Sequence, residues 1–514
     1  MDDHTRKKKR LDWITLIVSG GLLVLFVIAS ILNEKLVGQW ISESFFFAAK
    51  YFGAYWQVLL LVMFVIGLIL AFSNYGRVRL GKMEKPENSN FRWIAMILCT
   101  LLASGGVFWA AAGPMFHFLT TPPLFTGIEE GTMVASFPAM AQSYLHWGGF
   151  TAWASLGTLA TIVLMYAHYH KGYPLKPRTF LYPMFGKRIF KNSFIGSSAD
   201  IVSIIATAAG TIGPIGFLGL QVGYGLEAVW GIPNTFITQS LIIIFLAVIA
   251  SISAATGIER GIQWLSRVNV SLVVVLMFAM LILGPTLFII DLFIGSEAFY
   301  LQNFLTMSLY RVDQAWLGSW TIFFWGGWFI GYGPMMAIFI SRISRGRTIR
   351  ELIIAVSIIA PIVSNFWFTV VGGSGIFYEM ENPGSVSTAL NESGMPATVM
   401  AIMNQIPFGI VLAIGFIIVS IIFVATTADS MSYTVAVTLS GTDEPSRLIR
   451  VFWALMFGVV AVSLLAIGEE TVDMLQNFIV VTAAPVSLLL LPSLWDAPRI
   501  AKKMAKEQNI IGKK

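Results

Sequence analysis

Three aromatic residues, Trp325, Trp328 and Tyr332, stand at i, i+3 and i+7 of an apolar stretch. On an α-helix that spacing puts their rings on one face. Ring faces attract cations, and a desolvated contact is worth up to about 2 kcal/mol or more, so the chemistry on offer is recognition of a cationic head group. The full run is Trp325-Gly326-Gly327-Trp328-Phe329-Ile330-Gly331-Tyr332-Gly333-Pro334. Glycines this dense, followed by proline, loosen a helix, and backbone freed within an apolar span persists only inside protein or against a water-filled cavity. The stretch is therefore a candidate solute site. Rings at this spacing also serve as plain helix packing, and that reading stands beside it.

The elements that must hold these rings are membrane spans. Of 514 residues, 56% are hydrophobic and only 12% charged, which excludes a soluble globule of ordinary surface. Stretches of spanning length are read at about Trp13–Leu32, Gln57–Phe72, Trp93–Leu119, Tyr144–His168, Asp200–Tyr224, Thr235–Ala255, Asn269–Ile290, Gly318–Ile340, Leu352–Val371, Gly409–Thr438, Val451–Ile467 and Asp473–Leu491. That makes an all-α polytopic membrane protein with twelve transmembrane helices. Lys and Arg collect in cytoplasmic loops. With the N-terminus inside, all but Lys35, Lys50 and Arg311 of the 33 Lys and Arg residues fall in inner segments, among them Arg6–Arg10, Lys171–Lys191 and Arg342–Arg350. Both termini are therefore expected in the cytoplasm of a multi-pass plasma-membrane (inner-membrane) protein. The net charge of +6 follows from this topology and implies no nucleic-acid partner.

Trp13–Leu32 is too long for a signal h-region and reads as a retained first span. Cys99, the single cysteine, permits no intramolecular disulfide. No HExxH, nucleophile elbow, P-loop or paired carboxylates on one helix face stands out, so no enzyme is expected. The outer segment from Gly372 to Gln405 lacks Lys and Arg and suits a vestibule or lid. Between Glu297 and Val312 apolar and polar residues alternate as in an interfacial amphipathic helix that meets lipid or a neighbouring subunit. The third span carries Gly113-Pro114-Met115 and the eighth Gly333-Pro334-Met335. Five spans separate them, an odd number, so a five-span repeat would be inverted. Gly-Pro also occurs at Gly213-Pro214 and Gly284-Pro285, where it would merely kink a helix.

The run from Trp320 through Trp325 and Trp328 into Ile340-Ser-Arg-Ile-Ser-Arg-Gly-Arg-Thr-Ile-Arg-Glu351 resembles the signature of the betaine/choline/carnitine transporter (BCCT) family. Thr120-Thr-Pro-Pro123, His146-Trp147-Gly148 and Phe423-Val-Ala-Thr426-Thr427-Ala-Asp429-Ser430 agree, in the expected order. The resemblance covers the whole chain. It implies a LeuT-type fold with inverted five-helix repeats preceded by two extra helices, alternating access around a midplane site, and a homotrimer formed partly through the amphipathic helix. The chain then divides into 1–92 (cytoplasmic N-terminus and two peripheral spans), 93–292 (first repeat), 293–317 (interfacial helix), 318–495 (second repeat) and 496–514 (cytoplasmic tail). The implied solute is a betaine-like quaternary ammonium or related zwitterion, moved by sodium-coupled uptake. A sodium-independent antiporter of the carnitine type is the alternative.

In sodium-coupled members a Phe-x-x-Thr-Ser/Thr segment of the tenth span and a Thr-x-x-x-Thr pair of the fifth line the ion sites. Phe423, Thr426 and Thr427, and Thr207 and Thr211, match these positions. Sodium prefers hard oxygen ligands, and residues four apart share a helix face; membrane Ser/Thr hydroxyls also bond back to their own helix. No other cofactor is expected. Asp429, an intramembrane carboxylate, either supports the ion site or bridges helices.

The resemblance marks Trp147, Trp153, Trp328 and Tyr332 as wall residues, with Trp325 behind them. Phe116 and His117 lie one turn past the third-span break; a membrane His is usually a satisfied interhelical bridge, and His117 also sits where a substrate carboxylate or polar group could reach it. Typical members carry Trp-x-Trp-Trp-x-x-Trp/Tyr in the eighth span. Aligned at Trp325, this chain has Gly327 in place of one tryptophan and Gly331 in place of another, and Gly327 is expected to enlarge the site.

Overall fold

The computed structural model describes residues 11–102, 105–191, 193–256, 259–441, 445–467 and 471–512. The basic run Arg6–Arg10 and the pair Ala103 and Ser104 lie outside them. The described residues contain no β-strand, only one isolated bridge between Arg79 and Thr348. Eleven helices among them are long and apolar enough to cross a membrane. They correspond to eleven of the twelve stretches read from the sequence. The remaining one, the third, is described as two helices, Asn90–Leu102 and Gly106–Leu119, on either side of the pair outside the description.

Several helices run past their apolar stretch. The second spans Glu34–Phe72, 39 residues, because nothing between Glu34 and Gln57 breaks a helix and Asn33 caps its start by accepting from Leu36 N at 3.0 Å. Gly284–Pro285 ends the seventh-span helix, Glu259–Leu283, and a separate helix follows at Thr286–Ser308. One side of that helix exposes Leu287, Ile290, Ile294, Leu301 and Leu305, while Ile289, Leu292, Ser296 and Tyr300 are buried. Beyond the ninth span, the segment expected as a lid is largely helical: Ser374–Glu381, Ser387–Ser393 and Thr398–Gln405. Its loop is gathered by Glu379, whose carboxylate accepts from Gly384 N, Val386 N and Ser387 N at 2.8–2.9 Å.

The layering follows burial. The fourth- and eighth-span helices, Met133–His170 and Gln314–Ile343, are enclosed almost throughout, whereas the first, sixth and seventh turn most of their apolar surface outward. In lipid that exposure costs nothing, since the tails are as apolar as the side chains. Between the two sets of five, helices at equivalent places pack directly on each other: the fifth, Phe194–Trp230, on the tenth, Gly409–Ser440, and the sixth on the eleventh. Such pairing fits a pseudo-two-fold axis between two inverted repeats. The architecture is thus all-α, and its helix pairing fits the LeuT-type repeat that the sequence resemblance implies.

The basic motif after the eighth span is a clamp. Arg347 is buried, lies over the Trp93 ring at 4.4 Å, and donates to Asn88 O at 2.6 Å and to Asn90. Thr348 and Glu351 form a capping box that starts the ninth helix. The eighth and ninth spans are thereby tied to the start of the third.

Candidate functional site

The eighth span owes its shape to its sequence. From Gly318 to Ile330 its hydrogen bonds take the wide π pattern, and it becomes α-helical only from Gly331. Such insertions gather at functional sites and turn through a smaller angle per residue. Trp325 therefore leaves the face that carries Trp328 and Tyr332. It is fully buried and donates its indole N–H to Leu145 O at 3.0 Å.

A cavity of about 170 Å³ lies between the fourth, seventh, eighth and tenth spans, with Ser266 and Val270 contributed by the seventh. Trp147, Trp328, Phe329 and Tyr332 wall one side; Phe423, Thr426, Thr427 and Ser430 face them. Trp147 and Trp328 meet edge to face, 4.9 Å apart at 80°, an arrangement that aromatic quadrupoles favour. The Trp147 indole N–H is buried with no hydrogen-bond partner among the described residues. Leaving it so is costly.

Two glycines seat the wall. A Cβ on Gly105 would stand 2.2 Å from the Trp147 ring, and one on Gly210 would stand 2.3 Å from the Tyr332 ring. Tyr332 is held at its other end by its hydroxyl, 3.1 Å from Thr211 Oγ1. Thr211 in turn donates to Thr207 O at 2.7 Å, and Thr207 to Ser203 O at 2.7 Å. The fifth-span threonine pair thus lies behind Tyr332 rather than on the cavity wall. Thr426 donates to Ile422 O at 2.8 Å and Phe423 O at 3.3 Å. A hydroxyl that donates keeps its lone pairs for a cation, so this back-bonding is compatible with ion ligation.

Other residues singled out from the sequence lie elsewhere. Trp153 is buried behind the wall and donates to Trp147 O at 2.7 Å. Gly327 faces the twelfth span, where an added Cβ would stand 2.6 Å from Ile479 Cγ2. It does not line the cavity. Counting back from Tyr332, the family spacing falls on Trp328 and Phe329, the two residues that do line it. Phe329 and Gly210 are therefore positions that the alignment at Trp325 passed over; the aromatic pair three residues before Tyr332 was the available signal.

Phe116 and His117 sit on the far side of a ring barrier. His117 Nε2 is 3.4 Å from His146 Nδ1, and the His146 Nε2 is 3.1 Å from Thr321 Oγ1. Phe116 packs on Trp320 at 4.4 Å and lines a separate hollow with Thr120 and Tyr224. Trp109, Trp320 and Phe324, with centroids 4.9–6.1 Å apart, fill the space between that hollow and the cavity. In the opposite direction, past Met335 and Met336, the cavity adjoins a chamber that reaches Arg342, with Phe339, Ser430 and Thr434 in their shared wall. Rings thus fill the Phe116 side of the site, and a chamber adjoins it on the Arg342 side. Asp429, on the chamber wall, pairs with Arg450 at 3.1 Å and links the tenth span to the eleventh.

Residues 14–506 match the family described as betaine/carnitine/choline family transporter (BCCT). A glycine betaine transporter of Vibrio parahaemolyticus is 52% identical over 96% of this chain and 91% of its own. A glycine betaine transporter of Bacillus subtilis is 32% identical over 98% and 95%, and an ectoine/hydroxyectoine transporter of Virgibacillus pantothenticus 30% over 95% and 96%. A solved sodium-coupled sialic acid symporter aligns over 88% of this chain and 87% of its own with TM-score 0.41 and 14% identity, too remote to carry an argument. With a family match over nearly its whole length and relatives aligned end to end, this chain belongs to the betaine/carnitine/choline transporter (BCCT) family.

Proposed function

We propose that the protein is a secondary transporter that takes up glycine betaine or a closely related zwitterion by alternating access, coupled to sodium. The carrying observation is the cavity in which Trp147, Trp328, Phe329 and Tyr332 face Thr426 and Thr427. Four rings suit a methylated ammonium, which offers no hydrogen bond and is held by π faces. Hydroxyls across the cavity suit a hard monovalent cation, which oxygen ligands bind best. Relatives named as betaine and ectoine transporters support the solute class. The retained Thr426-Thr427 pair favours sodium coupling over the carnitine-type antiporter.

On this reading Phe423, Thr426 and Thr427 hold one ion and Thr207 and Thr211 a second, with Asp429 acting on the first only through its helix. Charge placement favours cytoplasmic termini, so the Arg342 side faces the cytoplasm. A homotrimer belongs to the same reading, with the exposed apolar side of Thr286–Ser308 as the contact. Light scattering in detergent with the lipid mass subtracted tests it.

The decisive experiment is a panel of radiolabelled solutes in proteoliposomes, with and without a sodium gradient. Betaine accumulation driven by inward sodium supports the proposal. Sodium-independent exchange with internal solute would replace it by the antiporter.

A further inference from the structure

The chamber beyond the aromatic cavity is lined unlike the lipid-facing hollows. It has a volume of about 440 Å³ and shares the wall residues Phe339, Ser430 and Thr434 with the cavity, so the two adjoin. Its wall carries both signs of charge: Arg342 and Arg450, and Asp429. Asp429 and Arg450 are about nine-tenths or more buried and 3.1 Å apart, and the Arg450 guanidinium lies over the Tyr433 ring at 5.2 Å. The Arg450 Nε is buried with no hydrogen-bond partner among the described residues. A guanidinium takes carboxylate best through two parallel bonds, and here Asp429 accepts from Nη2 of Arg450. Arg450 therefore has donor capacity left over, beside an open chamber on the solute's route.

We propose that this chamber is a second solute subsite, specific for the carboxylate of a zwitterion, in which Arg450 exchanges Asp429 for the solute carboxylate. The ammonium end then lies between the Asp429 carboxylate and the Tyr433 ring that Arg450 has left. This rests on the zwitterion reading above. The two sites divide the solute's chemistry: rings hold the cation in the first, and the guanidinium holds the anion in the second. The internal Asp429 makes the second site weak, since every solute must displace a tethered competitor. A weak subsite one step along the route suits release, because conduction needs binding that can be left.

The test compares KM for labelled glycine betaine applied to each face, in right-side-out and inside-out membrane vesicles. Arg450→Gln should raise KM about tenfold from the Arg342-bearing face and less than twofold from the other. Arg450→Lys, which keeps the charge but not the fork, should fall between. Asp429→Asn removes the internal competitor and should lower KM from the Arg342-bearing face. That shift is opposite in sign to the one a misfolded variant gives. Choline, with a hydroxyl in place of the carboxylate, should inhibit the parent and Arg450→Gln equally from that face. Equal KM changes on both faces, shifts of the same sign for Arg450→Gln and Asp429→Asn, or altered inhibition by choline would overturn the subsite. The variants are read with whichever solute of the panel the parent carries. Absence of betaine transport thus defeats the functional reading, and KM values unmoved in all variants defeat the subsite.

Discussion

Replacing Gly210 by Ala tests the aromatic wall without touching an aromatic residue. The added Cβ would lie 2.3 Å from Tyr332 Cε2 and 2.7 Å from Cδ2, whereas carbon atoms rest about 3.5–4.0 Å apart. The ring must retreat by more than about 1 Å, and the fifth helix behind Gly210 is packed on the tenth and twelfth spans and gives little. The retreat breaks the 3.1 Å contact between the Tyr332 hydroxyl and Thr211, worth about 1 kcal/mol. It also tilts a wall face out of position for the ammonium, a further loss of about 1 kcal/mol. Together, about 2 kcal/mol corresponds to a roughly thirtyfold rise in KM. Helix propensity runs the other way, since Ala is preferred to Gly by about 1 kcal/mol in a helix interior, so expression should hold. The assay is initial uptake of labelled glycine betaine in proteoliposomes. Tyr332→Phe serves as reference: losing only the hydroxyl contact should raise KM about fivefold. In a Tyr332→Leu background Gly210→Ala should have almost no further effect, because the two residues share one contact. A parental KM in Gly210→Ala, or strict additivity with Tyr332→Leu, refutes the wall.

Replacing Thr426 and Thr427 together with Ala should raise the sodium concentration for half-maximal uptake, because hard ligands are lost; full uptake by the parent in sodium-free buffer would remove the premise. Trp328→Leu should cut solute affinity roughly tenfold, for about 1.4 kcal/mol of cation–π contact, with normal yield, and unchanged affinity would return Trp328 to plain packing. Gly327→Ala places its Cβ 2.6 Å from Ile479 and should cost stability by about 1–3 kcal/mol. That reads as a lower thermal midpoint in detergent with the parent's order of solute preference; an altered preference would put Gly327 back at the cavity.

Span positions were legible because a bilayer demands long apolar runs, and the family was legible because Ser341–Glu351 has a physical task, clamping Arg347 over Trp93. Part of the candidate site can be read from the sequence too: Trp328, Tyr332, Thr426 and Thr427, picked out by spacing and motif, line one cavity. Trp325 lies behind the wall, as the resemblance implies, but does not share the face of Trp328 and Tyr332, for a specific reason. The i, i+3, i+7 rule assumes α geometry throughout, and the π stretch Gly318–Ile330 breaks that assumption within the very segment where the rings stand. The one-residue shift at Gly327 has another source: Trp325 and Trp328 match two tryptophans of the family motif when the alignment starts at Trp325, and Trp328, Phe329 and Tyr332 match when it is counted back from Tyr332. Gly210 carries no sequence signal, because its task is to leave room for a ring 122 positions away in the chain. Helix ends such as Glu34 and Glu381 were hidden because polar residues at the membrane surface do not stop a helix.

The two threonine pairs belong together in a way that neither motif shows alone. The fifth and tenth spans occupy equivalent places in the two repeats and pack on each other, so Thr207–Thr211 and Thr426–Thr427 come from the same pair of helices. One reaches the cavity directly and the other only through the Tyr332 hydroxyl. A ligand shifts a two-state equilibrium only by its difference in affinity for the two states. On the proposed reading, an ion held by Thr211 has that leverage because it shares an oxygen contact with a wall residue. Tyr332 cannot swing away from the solute without giving up Thr211, and an occupant of the fifth-span pair therefore favours the state in which the ring is in place. Tyr332→Phe separates the two couplings. It leaves the ring against Gly210 but cuts the link, so it should raise solute KM by a larger factor at saturating sodium than at low sodium. A KM that rises by the same factor at low and at saturating sodium would mean that Tyr332 binds the solute without relaying the ion.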